Sequence, residues 1–220
     1  MPLRRPSRFA AVLALFAMAL ATAAEKPRKP KPPLPAGQYP MHITHEGVTI
    51  AAEPGDTKDA RPDTRLDYFA HGLLPVRVIV TNDGTEPVNL DDARIHFIAS
   101  DDTVLPAATA DEIERKFFTM KSATGTKLPL DIPIPITVGK KDFQKKIQLD
   151  DDDFGFKTTT VAPHTTVAGY LYYDTDGLPT PPLAKAYLQL RQVRFATSNR
   201  VIESYEIPLQ PDAKAPPAKL

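Results

Sequence analysis

The chain contains no cysteine and no tryptophan, and only four methionines and ten glycines in 220 residues. Without cysteine there are no disulfides, no thiolate nucleophile, no Cys-ligated zinc and no lipid-modified N-terminal cysteine. Neither G-x-S-x-G nor H-E-x-x-H occurs, and no glycine loop is spaced to cradle a phosphate. Sparse glycine and missing tryptophan also argue against a sugar-binding cleft. An excess of charge of either sign is lacking too, with 27 basic and 27 acidic residues. That balance excludes the basic surface a nucleic-acid binder needs to neutralise phosphates. Beyond the first 24 residues no apolar run is long enough to span a bilayer.

What is present begins at the N-terminus. Arg4, Arg5 and Arg8 precede an unbroken apolar run from Phe9 to Leu20, and Ala21-Thr22-Ala23-Ala24 follows. This is the layout of a secretory signal peptide. Cleavage is expected after Ala23 or Ala24, so residues 1–24 read as a leader and the product as exported, periplasmic or extracellular. Pro6 and Ser7 stand where a twin-arginine signal places a large apolar residue. Loss of the three leader arginines leaves 24 basic against 27 acidic residues, a net charge of −3. With no covalent staple, the mature domain must be held by its core, and about 170 residues suffice for that.

Residues 25–40, EKPRKPKPPLPAGQYP, alternate Lys and Pro with almost nothing to bury. They read as an extended, solvated leader of polyproline type, either a spacer or a contact for an anionic surface. QPDAKAPPAKL, 210–220, reads as a disordered tail.

Between them the pattern is that of strands. Met41 to His45 and Val48 to Ala52 flank Glu46-Gly47, a hairpin signal. Glu53 to Arg65 is a polar loop, and Tyr68 and Phe69 follow as core candidates. Val76, Val78 and Val80 alternate with Arg77, Ile79 and Thr81, which predicts a strand with one buried face. Asn82-Asp83-Gly84 supplies a turn. Ala93, Ile95, Phe97 and Ala99 form a second alternating run. Thr109-Ala110-Asp111-Glu112 is a capping box, and Ile113, Phe117 and Met120 make one apolar stripe, so one short amphipathic helix is expected. Residues 122–153 form an insertion in which Pro129, Pro133 and Pro135 punctuate an extended stretch. There, Lys140 to Leu149 suits a turn or two of helix with Phe143 and Ile147 inward, ended by Asp150 to Asp153. Strand pattern resumes from Phe154 to Val161 and from Thr165 to Asp174. Ala184 to Phe195 and Arg200 to Leu209 read as a closing hairpin. About eight strands with turn signals between them predict an antiparallel sandwich over 41–209.

Two stretches, PVRVIVTNDGTEPVNL from Pro75 to Leu90 and VAPHTTVAGYLYYD from Val161 to Asp174, resemble the immunoglobulin-like domains of many exported bacterial proteins of unknown function. In these a V-x-V-x-V-x-N strand leads into a short turn, and a later V-x-P turn feeds a G-Y-L strand. The resemblance implies an immunoglobulin-like β-sandwich and implies no activity. The helix and the 122–153 insertion depart from a minimal sandwich.

Candidate chemistry is sparse. His42, His45, His71, His96 and His164 are scattered, and His42 and His45 beside Met41 suggest copper. The TNDGTEP stretch also resembles exported copper chaperones of cupredoxin-like shape. Against copper, residues three apart on a strand face opposite ways, and the mature chain keeps only Met41 and Met120. Asp150 to Asp153 and Asp174-Thr175-Asp176-Gly177 are conceivable calcium ligands, but neither has the spacing that wraps one ion. The first reads as a solvated loop and the second as a turn. Tyr170, Tyr172 and Tyr173 are either an interface anchor or ordinary strand residues. No catalytic residue, metal ligand or cofactor is nominated. The expected function is that of a non-catalytic binding or scaffolding module of the cell envelope, whose partner is another envelope protein. The alternative is a histidine-based metal carrier.

Overall fold

The structure, a computed structural model, describes residues 27–123, 137–157 and 160–210. The expected leader (1–24), the Pro129–Pro135 stretch and the tail after residue 210 lie outside them.

The chain is mainly β. The first hairpin joins β1 (His42–His45) to β2 (Val48–Pro54). Its turn residues have φ of 51° at Glu46 and 80° at Gly47, the double positive-φ signature of the turn that matches strand twist. His45 therefore pairs with Val48. β3 (Leu73–Asn82) and β8 (Thr165–Asp174) complete an antiparallel sheet in the order β1-β2-β3-β8. A second four-stranded sheet, β11-β9-β5-β6, is built from β5 (Arg94–Ile98), β6 (Val104–Pro106), β9 (Tyr187–Arg191) and β11 (Tyr205–Pro208). A small sheet, β10-β4-β7, uses β4 (Val88–Asn89), β7 (Thr160–Val161) and β10 (Arg194–Phe195). The closing hairpin thus pairs β9 with β11, while β10 leaves to join β4. Eleven strands are present among the described residues, more than the eight expected, because short ones carry no readable alternation.

One apolar core is shared by the sheets. Val48, Ile50, Val76, Val78, Val80 and Tyr173 from the first meet Phe97, Leu188, Leu190, Tyr205 and Ile207 from the second. Each such aliphatic burial contributes about 1.5–3 kcal/mol, which is how a chain without disulfides holds together.

The alternation in β3 is present, but the expectation of one buried face is corrected: all ten of its residues are buried. Leu74, Val76, Val78 and Val80 enter the shared core. Leu73, Arg77, Ile79 and Thr81 point outward into a third layer, which has two parts. One is helical: α1 (Ala110–Ala123) and α2 (Thr137–Phe154). Ile113, Phe117, Ile147 and Phe154 from these helices pack with Leu73, Tyr68, Tyr170 and Tyr172. The capping box forms as expected, with the Thr109 N–H donating to Glu112 Oε2 at 2.8 Å and the Glu112 N–H to Thr109 Oγ1 at 3.3 Å. The side chain of Met120 lies outside the described residues. The turn or two of helix expected at Lys140 to Leu149 is a full second helix, longer at both ends. The second runs 18 residues and contains Asp150 to Asp153 within its last turn, so these acids neither end it at Leu149 nor form a loop.

The other part of the outer layer is the Lys/Pro-rich segment. Most of its residues are exposed, as its composition implies, but it is also tied at several points across the first sheet. The Arg28 N–H donates to Asp153 Oδ2 at 2.9 Å, and Arg77 Nη2 donates to the Lys31 carbonyl at 2.5 Å. The Ala36 N–H donates to Thr81 Oγ1 at 2.8 Å, and Ala36 packs with Ala51 and Ile79. Composition missed this because the segment contributes backbone groups and one small side chain, not an apolar stripe.

Candidate functional site

The densest polar construction lies beneath the helical layer, where the loop before β3 meets the end of α2. Asp150 is completely buried, yet its carboxylate accepts five contacts. The Arg65 N–H reaches Oδ1 at 2.9 Å and Oδ2 at 3.0 Å, and the Leu66 N–H reaches Oδ2 at 3.3 Å. Arg65 Nη1 donates to Oδ1 at 3.0 Å, and the Tyr68 hydroxyl donates to Oδ2 at 3.1 Å. The same Nη1 sits 2.7 Å from Asp153 Oδ2. Burial disfavours the Arg65 charge, but its bonds to Asp153 and Asp150 outweigh that and hold its pKa above the ordinary arginine value. Burial, then the Asp150 charge, pushes the Tyr68 phenol far up, so it stays a donor.

This hub explains the helix end. Four acids at a helix C-terminus oppose the helix dipole. Arg65 neutralises Asp150 and Asp153. Lys157 Nζ stands 3.3 Å from Asp151 and 2.5 Å from Asp152. The second acidic stretch is treated alike. Lys116 Nζ from α1 lies 2.5 Å from both Asp174 Oδ1 and Asp176 Oδ2. In both acidic stretches an ammonium or guanidinium group of the chain is the counter-ion.

Asp153 makes acid sensitivity testable. The backbone N–H of Arg28, and then the Arg65 guanidinium, hold its carboxyl below the usual range. A depressed folded pKa contributes stability that is complete above the unfolded value, about 4, and is lost as pH falls through the folded one. Melting temperature measured from pH 7 to pH 2 is expected to fall below about pH 4, with a shallower fall in Asp153→Asn. An unchanged slope in that variant would remove Asp153 from the account.

In front of the hub a groove of about 460 Å³ opens between the 58–69 loop and Tyr172. Tyr68 and Tyr172 stack at 4.3 Å between ring centroids, and both also line a smaller, more apolar cavity of about 110 Å³ with Ile113, Ile147 and Leu171. The pair is the wall between the two spaces. Tyr172 is only 8% exposed, and its hydroxyl has no hydrogen-bond partner among the described residues. Burial, and then the Asp150 charge, raise its pKa well above the phenol range, so the group is a protonated donor. Arg61 lies over the Phe69 ring, its carbon 3.5 Å from the centroid, and is fixed by bonds to the carbonyls of Gly55 (3.0 Å) and Asp56 (2.9 Å).

The structure brings together none of the histidines weighed for copper. His42 bonds the Tyr39 carbonyl, while His45 sits 3.6 Å from Glu203 and against the Tyr205 ring. His71 stacks on Phe117 at 3.8 Å. His96 pairs with Gln189 in the second sheet, and His164 occupies a corner at φ 56°. No group of three or more His, Cys, Asp or Glu side chains able to hold a metal is found among the described residues. Tyr170 and Tyr172 do share a face, and it is buried under the helices; Tyr173 faces the core. Sequence reading missed Arg61, Arg65 and the Tyr68–Tyr172 pair. Tyr68 read as core, and its partners lie far away in the chain.

No family model matches the chain, and no curated protein matches it. Among solved structures, a conserved hypothetical protein from Bacillus anthracis is similar over 77% of this chain and 92% of its own, at 9% identity and a TM-score of 0.32. A likeness that slight fixes neither fold family nor activity. Among the described residues, no helix is long and apolar enough to cross a membrane.

Proposed function

We propose that the protein is a non-catalytic binding or scaffolding module of the cell envelope, exported by its leader and built as an immunoglobulin-like antiparallel β-sandwich with a helical layer on one face. Two four-stranded antiparallel sheets sharing one core support the sandwich. The observation that carries the functional reading is the satisfied state of Asp150. A buried carboxylate saturated by four internal donors, in five contacts, is not free for proton transfer or nucleophilic attack. The edge strands β1, β6 and β11 are short, and the long edge strand β8 is partly covered by the backbone N–H groups of Phe156 and Ala108, which bond its Tyr170 and Tyr172 carbonyls; this favours contact through a face or groove over strand addition.

The test is site-specific photo-crosslinking of the exported protein in intact cells, with the reactive group placed at Phe69, Val104 or Val201, which are exposed apolar positions. At least one position is expected to yield a discrete adduct with another envelope protein. Absence of any such adduct at all three would overturn the reading.

A further inference from the structure

We propose that Lys29 to Pro35 form a stiff polyproline ridge laid along the first sheet, and that a partner protein grips this ridge in an aromatic-lined groove carrying carboxylates. This rests on the binding-module reading and names the chemistry of the partner.

The backbone is set first by sequence. Pro30, Pro32, Pro33 and Pro35 each hold φ at about −65°. Lys29, Lys31 and Leu34 precede prolines and are steered away from helix into extended conformation. Pro35 sits at φ −51° and ψ 136°, close to polyproline II. The ties to the sheet then fix the span. Arg77 and Thr81 lie four positions apart on β3, about 13 Å along the strand. They hold the Lys31 carbonyl and the Ala36 N–H, five positions apart, which is about 15 Å at the polyproline rise. The lengths agree, so little slack remains between the ties.

Three residues per turn give this helix three columns of side chains. The column of Pro33 and Ala36 turns to the sheet, half-buried at Pro33 and fully buried at Ala36. The other two, Lys29 with Pro32 and Pro35, and Lys31 with Leu34, are exposed, Leu34 at 56%. A groove can therefore grip two columns while the third stays docked. Charge points the same way. Of the acids that contact this segment or its anchor Arg77, Asp63 faces Arg28, Asp153 faces Arg65 and Glu53 faces Arg77. Lys29 and Lys31 make no ion pair among the described residues. Proline-rich segments are taken up by aromatic-lined grooves, and two uncommitted ammonium groups beside the prolines call for carboxylates at the groove's edge. Because the ridge is already held extended, binding orders little further chain. An anionic lipid surface would use the lysines alone and leave the exposed proline columns without a role.

The experiment places a photo-reactive group at Leu34 of the full exported chain in intact cells and maps the crosslinked peptide by mass spectrometry. The expected result is one protein adduct, at a partner segment containing aromatic and acidic residues. Its yield is expected to fall about tenfold in Lys29→Glu with Lys31→Glu, and by a similar factor in Pro32→Ala with Pro35→Ala. The lysine variant keeps the Lys31 carbonyl that Arg77 bonds, so its melting temperature is expected to stay within about 2 °C of wild type. A larger fall would assign the lysines to the fold and overturn the proposal. So would no adduct at Leu34, or a yield indifferent to either pair of changes. Vesicles of phosphatidylglycerol and phosphatidylethanolamine supply the other arm. Sedimentation of the mature protein with them, abolished by the lysine changes, would assign the ridge to a lipid surface instead. Adducts from Phe69, Val104 or Val201 with none from Leu34 defeat the ridge alone, whereas silence at those three defeats the reading on which it rests.

Discussion

Asp150→Ala is expected to lower the unfolding free energy by about 3–5 kcal/mol, the cost of breaking a buried ion pair from one side. The change takes one acidic partner from the Arg65 guanidinium, which is only 2% exposed. It also strands the N–H groups of Arg65 and Leu66 and the Tyr68 hydroxyl. Asp150→Asn keeps the volume and one acceptor oxygen but not the charge, so an intermediate loss is expected. The double change Arg65→Leu with Asp150→Leu removes both charges and is expected to recover part of the loss, since an apolar pair can replace a buried ion pair at little cost. Urea titration followed by tyrosine fluorescence measures this, with the denaturant slope as control against a change of unfolded state. A loss below about 1 kcal/mol, the range of exposed ion pairs, would show that the hub is open to water.

Gly169→Ala should be nearly as damaging although it adds one methyl. A Cβ on Gly169 would stand 2.4 Å from Phe156 Cα, 2.6 Å from Phe156 N and 2.7 Å from the Gly155 carbonyl. All three are backbone atoms, so no side chain can swing aside. The segment passes this close because the Phe156 N–H donates to the Tyr170 carbonyl at 3.2 Å, pinning the exit of α2 to β8. Overpacking at such a point costs about 3 kcal/mol, the upper part of its usual range. The helical layer should loosen while the shared core stays closed. Amide exchange should then rise in α2 more than in β3, and equal acceleration in both would contradict the layered account.

The features legible in the sequence were those decided by neighbours in the chain. Glu46-Gly47, the Thr109–Glu112 capping box and the valines of β3 each state their conformation within a few residues. What was illegible depended on distant partners. Arg65 and Asp150 are 85 positions apart, and nothing local separates a buried acid from a solvated one. A helix that ends in four aspartates violates the dipole rule unless cations arrive from elsewhere, as Arg65 and Lys157 do. The outer face of β3 displays Arg77 and Thr81, polar residues that read as exposed and are in fact covered. The groove was missed for the same reason, because Tyr68 and Tyr172 come from opposite ends of the domain.

The docked Lys/Pro-rich segment changes where this domain can be cut for grafting. Trimming to the first recognisable strand at Met41 would remove the cover over Ile79, the acceptor for Arg77 and one of the donors to Asp153. A transplanted version must carry its own wrapping from residue 27 onward. A fusion partner placed ahead of Met41 would compete for the sheet face that the wrapping occupies.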